Sequence, residues 1–288
     1  MTKGKRIISG TMNWGVWGKQ LDTSSMAELI ASCVEHGVLT FDHADIYGGY
    51  STEAEFGKAF LETKIPREDL YFISKCGIQF SNNSSPILLN YYNYSKDYIV
   101  AQVENSLQNL QTDFLDLLLL HRPSPLMQSD DINAAIYQLI TQGKIKAFGV
   151  SNFTSSQIDL IQESHPIVYN QIECSLLHYL PLYDGTLDYL TKNKIGVMAW
   201  SPLGKYFTNH DNKRKRIKKA LIPLMEKYEA EEDELLLAWL MHHPAQIHPV
   251  IGTTKIGRIK KSVRVIKIQM EEIDWFSLLV ASQGHEMP

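Results

Sequence analysis

The run Leu115-Asp116-Leu117-Leu118-Leu119-Leu120-His121 decides how this chain is read. Four successive leucines leave no polar face for water. A strand of that kind is covered on both sides, as in a parallel sheet flanked by helices. Outward from it, strand-like runs alternate with helix-like segments. Upstream the strands are Arg6–Ser9, Val38–Asp42 and Leu70–Lys75. Downstream they are Ala147–Val150, Ile167–Gln171, Ile195–Trp200 and Ile247–Ile251. Helical spacing falls between them. Ser24–His36 places Met26, Leu29, Ile30, Cys33 and Val34 on one face and is stopped by Gly37. Further helices are expected over Thr52–Leu61, Lys96–Leu110, Asp131–Gln142, Ser155–Glu163, Thr186–Lys192, Ile217–Tyr228, Asp233–Met241 and Arg258–Ile268. Two stretches read as irregular, Gln79–Asn93 and Leu203–Asn212.

Eight such strands predict a closed (β/α)8 TIM barrel, one domain over residues 1–288, rather than an open doubly wound sheet. No Gly-x-Gly-x-x-Gly follows the first strand, which weakens the open-sheet reading further. Hydrophobic residues at 44% and charged residues at 21% suffice for a large core. Lys+Arg 28 against Asp+Glu 32 gives −4, so the basic excess of a nucleic-acid binder is lacking. No run approaches the roughly 18 apolar residues of a membrane helix, and the N-terminus shows no signal-peptide core. Cys33, Cys76 and Cys174 are odd in number and far apart, which points to a reducing, cytoplasmic compartment.

In a TIM barrel the C-terminal ends of the strands carry the chemistry. Those ends hold Asp42 with Tyr47 five residues on, Lys75, His121, Ser151-Asn152, Asn170-Gln171, Trp200-Ser201 and Gly252-Thr253-Thr254-Lys255. An ammonium beside a phenol stabilises the phenolate and lowers its pKa, and a carboxylate holds the ammonium in place. A histidine can hold a carbonyl oxygen in the same pocket. The sum is a general acid placed to protonate oxygen as hydride reaches carbon. No metal is indicated.

Seven segments in register resemble the aldo-keto reductases: Gly37–Gly48, Ile73–Cys76, Leu117–Pro123, Gly149–Phe153, Tyr169–Gln171, Ala199–Gly204 and Val250–Arg258. The His121-Arg122-Pro123 triplet is most similar to a bacterial NADP-dependent branch. The resemblance implies reduction of aldehydes or ketones, with Tyr47 as general acid, Lys75 lowering its pKa, Asp42 pairing with Lys75, and His121 orienting the carbonyl. It implies NADPH rather than NADH as cofactor. Ser151, Asn152 and Gln171 would hold the nicotinamide carboxamide, and Trp200 would stack on its ring. Ser201, Leu203 and Gly204 would face the pyrophosphate, and Thr253, Lys255 and Arg258 the 2′-phosphate. The partner expected is a small carbonyl compound, with no nucleic acid and no membrane; the monomer is favoured as oligomeric state.

Two departures stand out. Gly252 replaces a common lysine, and Lys261-Ser262 replace a common Glu-Asn pair, so no adenine contacts are assigned. Little chain follows the last expected helix, which leaves the Gln79–Asn93 loop to shape an open pocket. Trp14, Trp17, Tyr50 and Phe80 are candidates to line it, although aromatic residues there also simply pack.

Other residues have plainer readings. His43 and Asp45 read as turn or supporting residues. Cys76 reads as a buried apolar side chain, with an activated thiol as the alternative. Neither Cys174 with His178 nor His242, His243 and His248 completes a local zinc set. The basic run Lys213–Lys219 reads as the exposed face of a helix with Ile217 and Leu221 turned inward. A nucleic-acid or localisation patch, or a positive field near the cofactor phosphate, are its alternatives. Two other functions remain open: a cofactor-binding module with little turnover, like the potassium-channel β subunits that resemble this family, and a Schiff-base aldolase using Lys75.

Overall fold

The computed structural model describes residues 6–81, 88–163 and 165–287; the start of the N-terminus and the middle of the Gln79–Asn93 loop lie outside the described residues. Eight parallel strands close a barrel. They are β1 (Ile8–Gly10), β2 (Thr40–Asp42), β3 (Tyr71–Cys76), β6 (Leu117–Leu120), β7 (Phe148–Ser151), β8 (Ile167–Glu173), β9 (Gly196–Trp200) and β10 (His248–Ile251), in that order around the ring. The remaining two, β4 (Ile78–Gln79) and β5 (Tyr91–Tyr92), pair antiparallel. All eight expected barrel strands are present, with no end displaced by more than two residues. The loop expected over Gln79–Asn93 is therefore not wholly irregular, because its two ends form this short ladder.

The leucine run shows why it carries no polar face. Leu117 and Leu119 join Ile8, Ile73, Met198 and Val250 inside the barrel. Leu118 and Leu120 belong to the outer core, between the strands and the helices. Register with β3 sets Lys75 beside Leu119 and Cys76 beside Leu120.

The helices cover the outside: α1 (Thr23–Glu35), α2 (Thr52–Thr63), α3 (Lys96–Leu110), α4 (Ser129–Thr141), α5 (Ser155–Ile161), α6 (Thr186–Lys192), α7 (Asn212–Lys227), α8 (Glu232–His242), α9 (Ile256–Arg264) and α10 (Glu272–Gln283). Local signals start several of them. Asp22 accepts from the Ser25 N–H at 2.7 Å, and Thr154 with Gln157 forms a capping box. Ile217 and Leu221 of α7 are buried as expected. The basic residues around them do more than face water. Lys213 donates to the Leu177 carbonyl, Arg214 to that of Tyr206, and Arg216 to those of Ala281 and Ser282. Arg216 thus satisfies carbonyls at the end of α10, where a helix leaves them without internal partners.

The helix α10 was not expected, because its apolar residues show no clear amphipathic period. Tertiary packing makes it. The indoles of Trp239 and Trp275 stack with centroids 4.9 Å apart, and each Nε1 donates to the other residue's carbonyl.

Close approach of β7 to β8 depends on Gly149. A Cβ there would lie 2.6 Å from the Tyr169 carbonyl oxygen and 2.8 Å from Leu119 Cδ2, beside a register shift in the β7–β8 pairing. Gly149→Ala should destabilise the barrel by about 1–3 kcal/mol, as overpacking does. Urea unfolding checks it; an unchanged midpoint would contradict this reading of the strand contact.

Candidate active site

Asp42 ends β2, Lys75 lies one residue from the end of β3, and His121 follows β6. Tyr47 sits on a turn after β2, its N–H donating to the Ala44 carbonyl. The barrel brings these four side chains together. The buried Lys75 ammonium donates to Asp42 Oδ2 at 2.8 Å, to the His43 carbonyl at 2.8 Å and to the Tyr47 hydroxyl at 3.1 Å. Its three hydrogens are all used. Asp42 Oδ1 accepts from Gln171 Nε2 at 2.9 Å, so the far side of the barrel steadies the same carboxylate. The Tyr47 and His121 rings meet edge to face, 6.1 Å between centroids.

Burial sets the charge states. It pushes the Tyr47 phenol above its ordinary value, although the Lys75 ammonium pulls the other way. The expected lowering by Lys75 is present as a component, but desolvation outweighs it, so Tyr47 holds its proton. Burial also opposes the Lys75 charge, but Asp42 and Tyr47 more than offset it and its pKa is raised. Burial, then the charges of Lys75 and Arg122, hold His121 well below the ordinary imidazole value. His121 is therefore neutral.

His43 is also buried. Its Nδ1 lies 3.0 Å from Thr11 Oγ1, whose single proton goes to the Asp42 carbonyl. Nδ1 must then be the donor, which leaves Nε2 unprotonated and, among the described residues, without a hydrogen-bond partner. Behind the site lie Asp45 and Glu53, both pushed up by burial, with Glu53 accepting from the Ser74 hydroxyl. Glu53 was not singled out from sequence; nothing in its helical context separates it from a surface acid. Burial pushes the Cys76 thiol well above its ordinary value, so the activated-thiol alternative does not hold.

The other half of the mouth is a chain of side chains. Trp200 Nε1 donates to Asn152 Oδ1 at 2.8 Å, Asn152 Nδ2 to Ser151 Oγ at 2.7 Å, and Ser151 Oγ to the Gln171 carbonyl at 2.9 Å. Asn152 and Ser201 adopt left-handed backbone, φ 62 and 49. A cleft of about 860 Å3 adjoins them. Ser201, Leu203, Gly204, Thr253, Lys255 and Arg258 all line it, with Lys19 and Lys261. Lys261 is already paired with Glu231 at 2.5 Å, and Ser262 is buried with its hydroxyl on the Arg258 carbonyl.

Trp17, Tyr50 and Phe80 gather beside Tyr47: Trp17 lies 6.3 Å from the Tyr47 ring and 5.3 Å from that of Phe80, and Tyr50 Oη accepts from the Phe80 N–H at 2.9 Å. Trp14 is a correction. It has no exposed surface, because its indole is packed against Phe41 and Phe56 in the outer core, so it cannot line the mouth.

Comparison with known proteins says which family a barrel mouth of this composition belongs to. The model of the aldo/keto reductase family matches residues 6–278, and the chain belongs to that family. It is 39% identical to an uncharacterized oxidoreductase, YcsN, of Bacillus subtilis (strain 168), covering 98% of this chain and 96% of the relative. It is 35% identical to a 6-dehydroglucose reductase of Agrobacterium fabrum (strain C58), covering 95% of this chain and 94% of that one. Its fold matches an aldo/keto reductase from Klebsiella pneumoniae solved in complex with NADP and acetate, with TM-score 0.79, 22% identity, and 96% and 90% of the two chains covered.

Burial of His43 has a pH consequence. Burial first, then Lys75, holds its imidazole well below the ordinary 6.5. It takes up a proton on unfolding but not in the fold, so below about pH 6.5 the unfolded chain binds more protons and stability falls with falling pH. Thermal unfolding from pH 8 to pH 5 should show wild type losing stability that His43→Gln does not lose. Parallel curves would mean that His43 titrates normally.

Proposed function

We propose that this protein is an NADPH-dependent carbonyl reductase, converting an aldehyde or ketone to an alcohol. The carrying observation is the buried Lys75 ammonium bound at once to Asp42 and to the Tyr47 hydroxyl. NADPH, when bound, supplies the hydride. Tyr47 keeps its phenolic proton at neutral pH and can give it to the carbonyl oxygen as the carbon is reduced. Lys75 then stabilises the phenolate left behind until solvent reprotonates it. Neutral His121 can hold the carbonyl oxygen without competing as an acid.

The residues fit the cofactor. Lys255 and Arg258 are exposed in the cleft and, among the described residues, neither has an ion-pair partner there. Two cations suit a dianionic 2′-phosphate, and arginine can grip it with two parallel bonds. Thr253 would add its hydroxyl. Gly204, at φ 54, has Leu177 and Ser175 3.1 Å from where its Cβ would be, and with Ser201 and Leu203 offers backbone to the pyrophosphate. Ser151 has already given its proton to the Gln171 carbonyl, and Gln171 has given one to Asp42. The free donors for a nicotinamide carboxamide are therefore the second N–H of Asn152 and that of Gln171. The Trp200 indole, anchored through Nε1, offers its face to the ring. Trp17, Tyr50 and Phe80 would wall the carbonyl compound. The three cysteines are free and buried, which agrees with a cytoplasmic setting.

Lys75 is a poor Schiff-base nucleophile. Its net pKa is raised and every hydrogen is engaged, whereas an attacking amine must be neutral and free.

Tyr47→Phe should lower turnover of a simple aldehyde by at least about 100-fold, the scale of general acid catalysis. Quenching of tryptophan fluorescence by NADPH should persist in that variant; retained turnover overturns the role of Tyr47. In the same assay Arg258→Ala should weaken NADPH by about tenfold or more, the scale of a charged hydrogen bond, and leave NADH nearly unchanged. Equal losses for both cofactors would place Arg258 elsewhere than at the 2′-phosphate.

A further inference from the structure

Arg122 follows His121 directly and was noticed in sequence only as part of a motif. Its backbone is clamped: the Tyr94 hydroxyl accepts from its N–H at 3.1 Å and donates to its carbonyl. Gly77, at φ 117, leaves room for the Tyr94 ring; a Cβ there would lie 2.0 Å from it. Among the described residues the side chain, by contrast, has only a weak partner. Its guanidinium carbon lies 5.4 Å from the Trp200 ring centroid. Among the described residues no acidic side chain comes within 4.0 Å of it, Glu173 at the end of β8 included. The residues outside the description contain no Asp or Glu.

The charges immediately around Tyr47 are otherwise balanced. Lys75 is matched by Asp42, His121 is neutral, and burial drives Asp45 toward its neutral form. One positive charge stays uncompensated beside the reacting groups. It is close enough to the Tyr47 phenol and the His121 imidazole to favour their less positive forms. A rigidly based arginine with a free planar fork matches a carboxylate, which it can bind through two parallel hydrogen bonds. A single cation suits a monoanion better than a phosphate dianion.

We propose that Arg122 determines specificity by binding a carboxylate on the substrate, so that the natural substrates are oxo acids, aldehydes or ketones carrying a carboxylate near the carbonyl. This rests on the carbonyl reductase reading above. On binding, the guanidinium exchanges its indole face for the carboxylate while Tyr47 and His121 take the carbonyl oxygen. The aromatic wall of Trp17, Tyr50 and Phe80 covers the carbon chain between.

The test is NADPH consumption by the full chain with succinic semialdehyde, butanal and glyceraldehyde: one acid, one neutral aldehyde with the same number of carbons, one neutral hydroxylated aldehyde. The acid should have the higher kcat/KM by at least about tenfold, and the margin should shrink as ionic strength rises. Arg122→Met should lose at least about tenfold more kcat/KM on the acid than on butanal, mainly through KM, and Arg122→Lys should restore part of it. NADPH quenching of tryptophan fluorescence in each variant checks that the mouth is intact. Reduction of butanal or glyceraldehyde as well as the acid overturns the proposal and leaves the reductase reading standing. So does an equal loss on acid and neutral aldehyde in Arg122→Met. No NADPH consumption with any of the three overturns both.

Discussion

A charged lysine buried at the end of a barrel strand is the constraint on which the site depends. An ammonium removed from water is tolerated only when it is paired and fully hydrogen-bonded. Lys75 meets that condition with three acceptors, a carboxylate, a backbone carbonyl and a phenol. Each acceptor comes from the segment that begins with β2. Satisfying the lysine therefore fixes where Asp42 ends, how the chain turns at His43, and where Tyr47 points. Gln171 extends the same network across the barrel by donating to the other oxygen of Asp42.

The polar shell behind the site follows from the same requirement. His43 is held as the tautomer that donates to Thr11, and Thr11 in turn donates to the Asp42 carbonyl. Asp45, Glu53 and Cys76 are buried close by, and burial drives all three toward neutral forms. Little charge is left in this region to compete with the Asp42–Lys75 pair. Burial also keeps Tyr47 protonated, and burial with the charges of Lys75 and Arg122 keeps His121 uncharged. Arg122, outside that balanced set, is the cation available to something brought from solution.

The barrel strands were legible because both faces of each are covered. That makes apolar runs without alternation, and Leu117–Leu120 is the plainest of them. The convergence of Asp42, Tyr47, Lys75 and His121 was legible because barrel strands end at one mouth, so polar residues just past each run had to meet. Three features were not legible. The helix α10 lacks an amphipathic period, and its place is set by the Trp239–Trp275 stack and by Arg216. Trp14 follows a strand end like the mouth residues, but its loop folds it into the outer core. The β4–β5 ladder joins two polar stretches with no strand pattern of their own.

What the sequence determined by itself is the barrel, its eight strands and the four residues Asp42, Tyr47, Lys75 and His121, because periodicity and strand ends are local properties. Tertiary structure alone decided the charge states and the partners. Tyr47 is held up rather than down because desolvation, which needs neighbours from many elements, outweighs one ammonium. Lys261 is committed to Glu231, and Gln171 to Asp42, through contacts 30 and 129 residues apart. Among the described residues no acidic side chain is folded against Arg122. Whether a charge is paired depends on what the fold brings near it, and no local pattern carries that.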